Sequence, residues 1–484
     1  MKTKTLEPDG MPFEILMKLD LMSFVHRCFL ELNPGQELSR APYLEVMAAK
    51  LAACLTGRGP KRIILCLPPR SLKSITVSVA AVAWMLGHDP TKQIIGASYG
   101  QDLADKHARD TRTIMTSSFY RKVFPGTQLS PQKISVNDFM TTKQGFRMGT
   151  SVTGVLTGRG GDILIIDDPL KPEDALSDTK RSSVNEWYDS TLLSRLNNKK
   201  DGIIIIVMQR LHQDDLVGHV LERGEDWEVI SFPAIAEENT VHTYETVRGS
   251  FTYKRQIGDV LNPHRESLAS LLSTKELVGT FTFSSQYQQN PTPVGGAMVK
   301  TDWLMYYDPL APMKRFSVIC QSWDTANKGG ELNDYSVCTT WGLCDGRYYL
   351  LDVFRKRLNY PELKAEVQNQ IKKHNSQIVL IEDMGSGTQL IQELRILSGC
   401  KVRAYAPPSQ MDKVMRMFAQ TAKFESGKVH LPNDATWLEE YRRELTAFPG
   451  SKFDDQVDST TQALDYLSSF TNSLEVWRKL GSRP

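Results

Sequence analysis

The residues with chemical potential fall into two groups. The first is the loop Pro68-Pro69-Arg70-Ser71-Leu72-Lys73-Ser74, set between an apolar strand-like run at 62–67 and a helix-compatible run at 75–86. Lys-Ser closing a loop before a helix is the arrangement that holds a polyphosphate. Backbone N–H groups at the helix start cradle the anion, Lys73 reaches the outer phosphate oxygens, and the Ser74 hydroxyl takes a place on Mg²⁺. Leu67 and Leu72 stand where the general motif has glycine. Taken alone, the pair also reads as a surface lysine beside a helix-capping serine. The apolar run at 163–166, which ends in Asp167-Asp168-Pro169, tips the balance. In a nucleotide hydrolase such a strand offers one acid to the Mg²⁺ shell and a second to the attacking water, although two aspartates before a proline also suit a plain turn. Together the two motifs point to ATP with Mg²⁺.

The second group is acidic. Asp324 closes the run Ser322-Trp323-Asp324, Glu382 and Asp383 close Ile378-Val379-Leu380-Ile381, and Asp454, Asp455 and Asp458 lie where a helix continuing through Ala463 and Leu467 begins. Any one of them fits a cap or a turn. Three acidic positions at the ends of separate elements also suit a site assembled only on folding. There, carboxylates hold two hard cations, Mg²⁺ or Mn²⁺, roughly 3.5–4 Å apart for phosphodiester cleavage. Asp324, Glu382 and Asp455 are the first choices. Asp458, one helical turn on from Asp455, shares its face, Asp454 is a further choice for the third ligand, and Asp383 is an alternative to Glu382.

Around these motifs lie Thr157-Gly158-Arg159-Gly160-Gly161, Ser194-Arg195-Leu196, Gln209-Arg210-Leu211-His212 with Asp214-Asp215-Leu216, Pro233-Ala234-Ile235-Ala236, and Gln286-Tyr287-Gln288-Gln289-Asn290-Pro291. In order and content, from about residue 40 to 470, the chain resembles the large subunit of tailed-phage terminases. The resemblance implies a P-loop ATPase domain followed by an RNase H-like nuclease domain. It also implies ATP-driven movement of double-stranded DNA into procapsids and metal-dependent cutting of concatemeric DNA. Within it, Arg70, Ser71, Lys73, Ser74, Asp167 and Gln209 fall at the nucleotide, with Ser74 and Asp167 on its Mg²⁺. Asp168 stands where many ATPases carry a catalytic Glu, and Gln209 and Arg210 match the motif that couples ATP state to DNA movement. Asp324, Glu382 and Asp455, with Asp458 near by, match the nuclease metal ligands. Arg70 and Arg159 are the candidates for an arginine finger. The implied partners are a small terminase subunit, a portal ring and further copies of the chain on that ring. The implied place is the host cytoplasm and, transiently, the procapsid portal rather than the mature virion.

The elements that must position these residues are legible in outline. Leu44, Met47, Leu51 and Leu55 recur at helical spacing ahead of the run at 62–67. Further apolar runs at 94–97, 163–166 and 203–207 are spaced widely enough for helical crossovers, which predicts a mainly parallel sheet with helices on both faces. Periodicity weakens from about 235 to 300, where Asn290-Pro291-Thr292-Pro293 and Gly295-Gly296 suggest an inter-domain region. Strand-like runs resume at 316–320, 336–342 and 347–354, with a hairpin turn at Asp345-Gly346, followed by a run at 378–381 and a helix over about 388–398. The expected plan is therefore an N-terminal segment (1–40), a P-loop domain (41–235), a linker or subdomain (236–300) and an RNase H-like domain (301–484).

Bulk properties agree. A chain of 484 residues exceeds what one core usually serves. No apolar run approaches the roughly 20 residues that span a bilayer, and the start lacks the apolar core of a signal peptide, so no membrane partner is expected. Seven scattered cysteines without CxxC spacing suit neither a disulfide framework nor a zinc site. A net charge of +2 leaves DNA handling open, because a basic channel and acidic sites cancel in the sum. Two other readings compete: a DNA-binding packaging scaffold whose ATP loop has decayed, and a helicase or repair translocase. The latter leaves the acids after residue 320 unexplained.

Overall fold

The structure, a computed structural model, describes residues 12–39, 41–154, 156, 158–291, 298–311, 315–325, 335–383, 386–397, 400–407, 411–451 and 453–481, without the side chains of 132–134, 386, 396–397 and 471–481. The chain divides into two compact units, residues 1–275 with 280–293, and residues 276–279 with 294–484.

The first unit is built on eight strands: β1 (Arg62–Cys66), β2 (Gln93–Ser98), β3 (Leu129–Ile134), β4 (Asp138–Thr141), β5 (Phe146–Ser151), β6 (Ile163–Asp167), β7 (Ile203–Met208) and β8 (Glu228–Ser231). They lie in the order β3-β4-β5-β2-β6-β7-β1-β8. From β5 to β8 every neighbour is parallel, and only β3 and β4 run antiparallel at one edge. A parallel sheet buried on both faces needs continuous apolar strands, because successive side chains point to opposite faces. β7 shows this: Ile203, Ile205 and Val207 enter one core together with Ile63, Leu65 and the N-terminal helix Leu21–Leu32, while Ile204, Ile206 and Met208 enter another with Ile64 and Trp187. The mainly parallel sheet read from the sequence is borne out. Within the stretch expected to be a linker or subdomain, Thr240–Thr246 and Gly249–Arg255 form an antiparallel hairpin, β9 and β10. Its Tyr244 and Tyr253 pack on the first unit's core.

The second unit carries seven strands: β11 (Met305–Tyr307), β12 (Val318–Asp324), β13 (Ser336–Cys344), β14 (Arg347–Lys356), β15 (Ile378–Glu382), β16 (Lys401–Tyr405) and β17 (Val429–Pro432). Their order is β11-β17-β14-β13-β12-β15-β16. β12, β13 and β14 are antiparallel neighbours turning at Asp345-Gly346, and β15 lies parallel to β12. Trp323, Val379 and Ile381 face a core shared with Leu363, Val367, Leu390 and Leu394 of two covering helices. By alternation, Ser322, Asp324 and Glu382 face the other way. The helix Asp455–Gly481 packs there, close enough for the Ser459 hydroxyl to donate to the Ser322 carbonyl at 2.8 Å and to receive the Thr339 N–H at 3.1 Å. Among the described residues no helix is long and apolar enough to cross a membrane.

Candidate active sites

In the first unit the loop after β1, the expected phosphate cradle, takes left-handed backbone at two positions without the glycines. Leu72 takes φ +62° and Arg70 φ +56°, the left-handed region that glycine occupies freely and other residues at a cost of about 1–2 kcal/mol. Hydrogen bonds from outside and from within the loop brace it. The Tyr43 hydroxyl donates to the Ser71 carbonyl at 3.1 Å, the Arg265 guanidinium donates to the Arg70 carbonyl, and the Ser71 hydroxyl donates back to Pro68 at 2.8 Å. A β-carbon at position 72 is therefore accommodated, and Leu72 packs against the core beside it.

Strand order decides what the loop faces. β7 separates β1 from β6, so the end of β6 lies two strand spacings, roughly 10 Å, from the end of β1. Lys73 crosses that gap, with its Nζ 3.2 Å from Asp168 Oδ2. The Ser74 hydroxyl donates to Asp167 Oδ1 at 3.0 Å, and the Ser78 hydroxyl, one helical turn on, donates to Oδ2 at 2.5 Å. Asp168 sits at φ +45° and accepts the Gln209 N–H at 3.1 Å. Burial raises both carboxyls above their ordinary range; for Asp167 the Ser78 hydrogen bond and for Asp168 the nearby Lys73 charge work against the rise. A buried acid pair destabilised as anions, facing one lysine and one hydroxyl, is a place where a divalent cation and a polyphosphate balance charge. The side chain of Gln209 is buried beside them, and its Oε1 has no hydrogen-bond partner among the described residues.

Arg210 is committed elsewhere. Its Nε meets both Asp215 oxygens, at 3.0 and 2.9 Å, and its own N–H donates to Gln289. Of the two finger candidates, Arg70 is in the loop, whereas Arg159 binds Asp138 of β4 at 2.7 and 2.8 Å and lies over the Phe146 ring at the start of β5. β1 and β4 are five places apart in the sheet, and Phe146 is at the opposite strand end from the cradle. Within this chain, then, Arg159 does not reach the site.

In the second unit the register builds the acidic site. Trp323 pairs with Ile381 across the parallel β12–β15 ladder. One step further, Asp324 and Glu382 end neighbouring strands on one face, about 4.8 Å apart between strands. The helix from Asp455 is anchored at its first turn by Glu444, which accepts the Gln456 N–H at 2.7 Å and its side-chain amide at 2.6 Å. That anchoring sets Asp455 and Asp458 against the strand ends. Asp324 is raised well above the carboxylate range by burial first, then by the charges of Asp458, Glu382 and Asp455. Burial also raises Glu382, Asp455 and Asp458. Four hard oxygen donors that oppose one another's ionisation fit divalent cations of the Mg²⁺ or Mn²⁺ type. Among the described residues no three such side chains are grouped so as to hold an ion, and Asp454 and Asp458 are both engaged by Lys413. Asp383 is placed differently: its carboxylate accepts the Thr388 hydroxyl at 2.8 Å.

The family comparison matches residues 321–467 to the model of the terminase RNaseH-like domain. The second unit holds a terminase RNase H-like domain. Its matched span runs from the residue before Ser322 to Leu467 of the last helix, so Asp324, Glu382, Asp455 and Asp458 all lie within it. Among solved structures, the chain is similar to the large terminase of a thermophilic bacteriophage at 13% identity, with 86% of this chain and 98% of that one covered and a TM-score of 0.51. The large terminase of bacteriophage HK97 matches at 11% identity over 87% of this chain and 90% of that one, with a TM-score of 0.36. The magnesium-bound large terminase nuclease of thermophilic phage G20c matches at 18% identity over 36% of this chain and 98% of that one, with a TM-score of 0.27. A comparison with curated proteins gives no match. The likeness to the first of these is one of fold.

Several residues at these sites escape sequence reading. Behind Asp167, His107 Nδ1 lies at 3.7 Å, and the guanidinium of Arg147 is buried in space left by Gly96 and Gly149, where a β-carbon would sit 3.4 and 2.7 Å from it. Burial pulls His107 down to about 4, so it is a neutral neighbour at pH 7. Nothing in the local pattern around His107, Arg147, Tyr43 or Arg265 marks them, because each acts across the fold. Ser78 alone carried a signal, four residues after Ser74 on a helix. In the second unit Lys413, Arg416 and Arg355 escape it for the same reason.

Proposed function

We propose that this chain is the motor and nuclease of a tailed-phage packaging machine. It would hydrolyse ATP to drive double-stranded DNA into procapsids and cut the concatemer with divalent metals. The observation that carries the reading is the presence in one chain of a Lys73-Ser74 loop facing Asp167-Asp168 and a terminase RNase H-like domain with four opposed acids.

In the motor site, Ser74 and Asp167 are the residues to hold Mg²⁺ and Lys73 the one to hold the outer phosphates, with Arg70 and Ser71 presenting the loop to the nucleotide. A bound γ-phosphate offers Lys73 a stronger partner than Asp168. That frees the Asp168 carboxylate to orient water, and the Gln209 N–H bonded to it carries the change to β7. Leu72 already holds the backbone shape that glycine supplies, which favours a working loop over a decayed one. In the nuclease site, Asp324, Glu382, Asp455 and Asp458 are the residues to hold two metals, which supply an activated water and stabilise the leaving oxygen. A small terminase subunit, a portal ring and further copies of the chain are the partners this reading calls for, in the host cytoplasm and at the procapsid portal.

The test combines purified protein, portal-containing procapsids and linear DNA. The expected result is DNA-stimulated ATP hydrolysis with DNA protected inside the capsid, and Mg²⁺- or Mn²⁺-dependent plasmid nicking in a separate assay. A folded protein with nicking but no DNA-stimulated hydrolysis would favour the packaging scaffold. Full nicking by Asp324→Asn would remove the nuclease assignment.

A further inference from the structure

Lys413 stands in an unusual place. It is the first residue of the helix Lys413–Glu425, where a positive charge opposes the helix dipole. The helix has its own cap, the Asp412 side chain, which accepts the Met415 N–H at 2.8 Å. The lysine therefore does nothing for the helix, and what it does for the acidic site is plain from distance. Its Nζ lies 2.8 Å from Asp454 Oδ1 and 2.7 Å from Asp458 Oδ2. Arg416, three residues on and on the same helical face, puts Nη2 3.2 Å from the other Asp458 oxygen.

The two cations differ in freedom. The Arg416 side chain is 11% exposed and fixed, whereas that of Lys413 is 47% exposed on a flexible four-carbon stem. The Asp458 side chain is 5% exposed, so as an anion it needs a partner at all times. A carboxylate oxygen bonded to an ammonium at 2.7 Å cannot at the same time take a metal along that direction.

We propose that Lys413 is an exchangeable counter-ion of the nuclease site: it holds Asp454 and Asp458 until a divalent cation replaces it, while Arg416 is the fixed positioning residue for Asp458. The proposal rests on the metal-dependent nuclease reading. Once displaced, the ammonium is left at the mouth of the site, where a DNA phosphate is its natural partner, so metal loading and substrate binding support each other.

Two measurements on the full chain test this. Calorimetric titration with Mn²⁺ is expected to show Lys413→Met binding at least fivefold tighter than wild type, with a lower melting temperature in EDTA. Lys413→Arg should bind as wild type does, and Arg416→Met should bind more weakly. In the unmutated protein, an amine-acylating reagent read by peptide mass spectrometry should modify Lys413 at least threefold faster once Mn²⁺ is added, a readout that does not depend on any variant folding. Unchanged or weaker Mn²⁺ binding by Lys413→Met, or Lys413 acylation indifferent to Mn²⁺, overturns the proposal. Asp324→Asn separates the two levels: if it leaves wild-type Mn²⁺ binding intact, the metal-site reading itself has failed, whatever Lys413 does.

Discussion

The Ser74 hydroxyl meets the Asp167 carboxylate at 3.0 Å across 93 residues of sequence. That contact brings together the two groups that share one Mg²⁺ in the proposed motor site, and Lys73 meets Asp168 beside it. Lys73→Ala is accordingly expected to abolish ATP hydrolysis and DNA translocation. Plasmid nicking should remain within about twofold of wild type, because its acids belong to the other unit. Steady-state ATPase and nicking assays on the same preparation check both halves.

The loop offers a sharper test in its backbone. At φ +62°, glycine in place of Leu72 relieves strain but loses packing, whereas alanine loses the packing and keeps the strain. Leu72→Gly should therefore be more stable than Leu72→Ala by roughly 1–2 kcal/mol, as read from chemical denaturation. Equal stabilities would mean that the loop relaxes out of the left-handed region.

Gln209 and Arg210 are adjacent but should behave differently. Arg210→Ala leaves Asp215, whose side chain is fully buried, without its ion partner, which typically costs about 3–5 kcal/mol. Gln209→Ala removes a side chain whose Oε1 has no partner among the described residues, so the melting temperature should hardly change while DNA-stimulated hydrolysis falls. Thermal unfolding measured alongside ATPase separates the two. A large loss of stability in Gln209→Ala would mark it as a structural residue.

Charge crowding at the acids of the second unit has a pH signature. Asp324 is raised in the folded chain, so its contribution to stability is fully present below the unfolded carboxyl value near about 4 and is lost as pH rises through the folded value. Above that the anion is a burden, which Asp324→Asn removes. In EDTA at pH 8 the variant should melt roughly 2–4 °C above wild type, with the difference closing toward about pH 4. No gain at pH 8 would contradict the crowding.

The third metal ligand of the proposed nuclease site is decided by comparing neighbours one helical turn apart. Asp458 is held by Lys413 and Arg416, whereas the cation beside Asp455 is the Arg355 guanidinium, at 3.7 Å. Asn at either position should reduce Mg²⁺-dependent nicking by at least about tenfold, since each removes a charged metal donor. Full activity in Asp455→Asn alongside none in Asp458→Asn would place the ligand at 458.

Sequence alone determined whatever depends on short-range periodicity and local chemistry. The unbroken apolar runs of β1, β6 and β7 declare a sheet buried on both faces, since no half-exposed strand could carry Ile203-Ile204-Ile205-Ile206. Asp324 and Glu382 follow apolar runs and so had to end strands, and the Asp345-Gly346 turn joins β13 to β14 as its residue types require. Tertiary structure decided everything that depends on which strands are neighbours. Only the parallel register of β12 on β15 puts Asp324 beside Glu382, and only the β1-β7-β6 order lets Lys73 span to Asp168. The same limit hid the β9–β10 hairpin, because alternation in a mostly exposed ribbon is weak, and it left Arg159 a candidate until Asp138 was seen to hold it. Side chains that act across the fold, such as Tyr43 and Arg265 on the cradle and Lys413 on the acids, have no local pattern to betray them, since their partners are chosen by packing rather than by spacing along the chain.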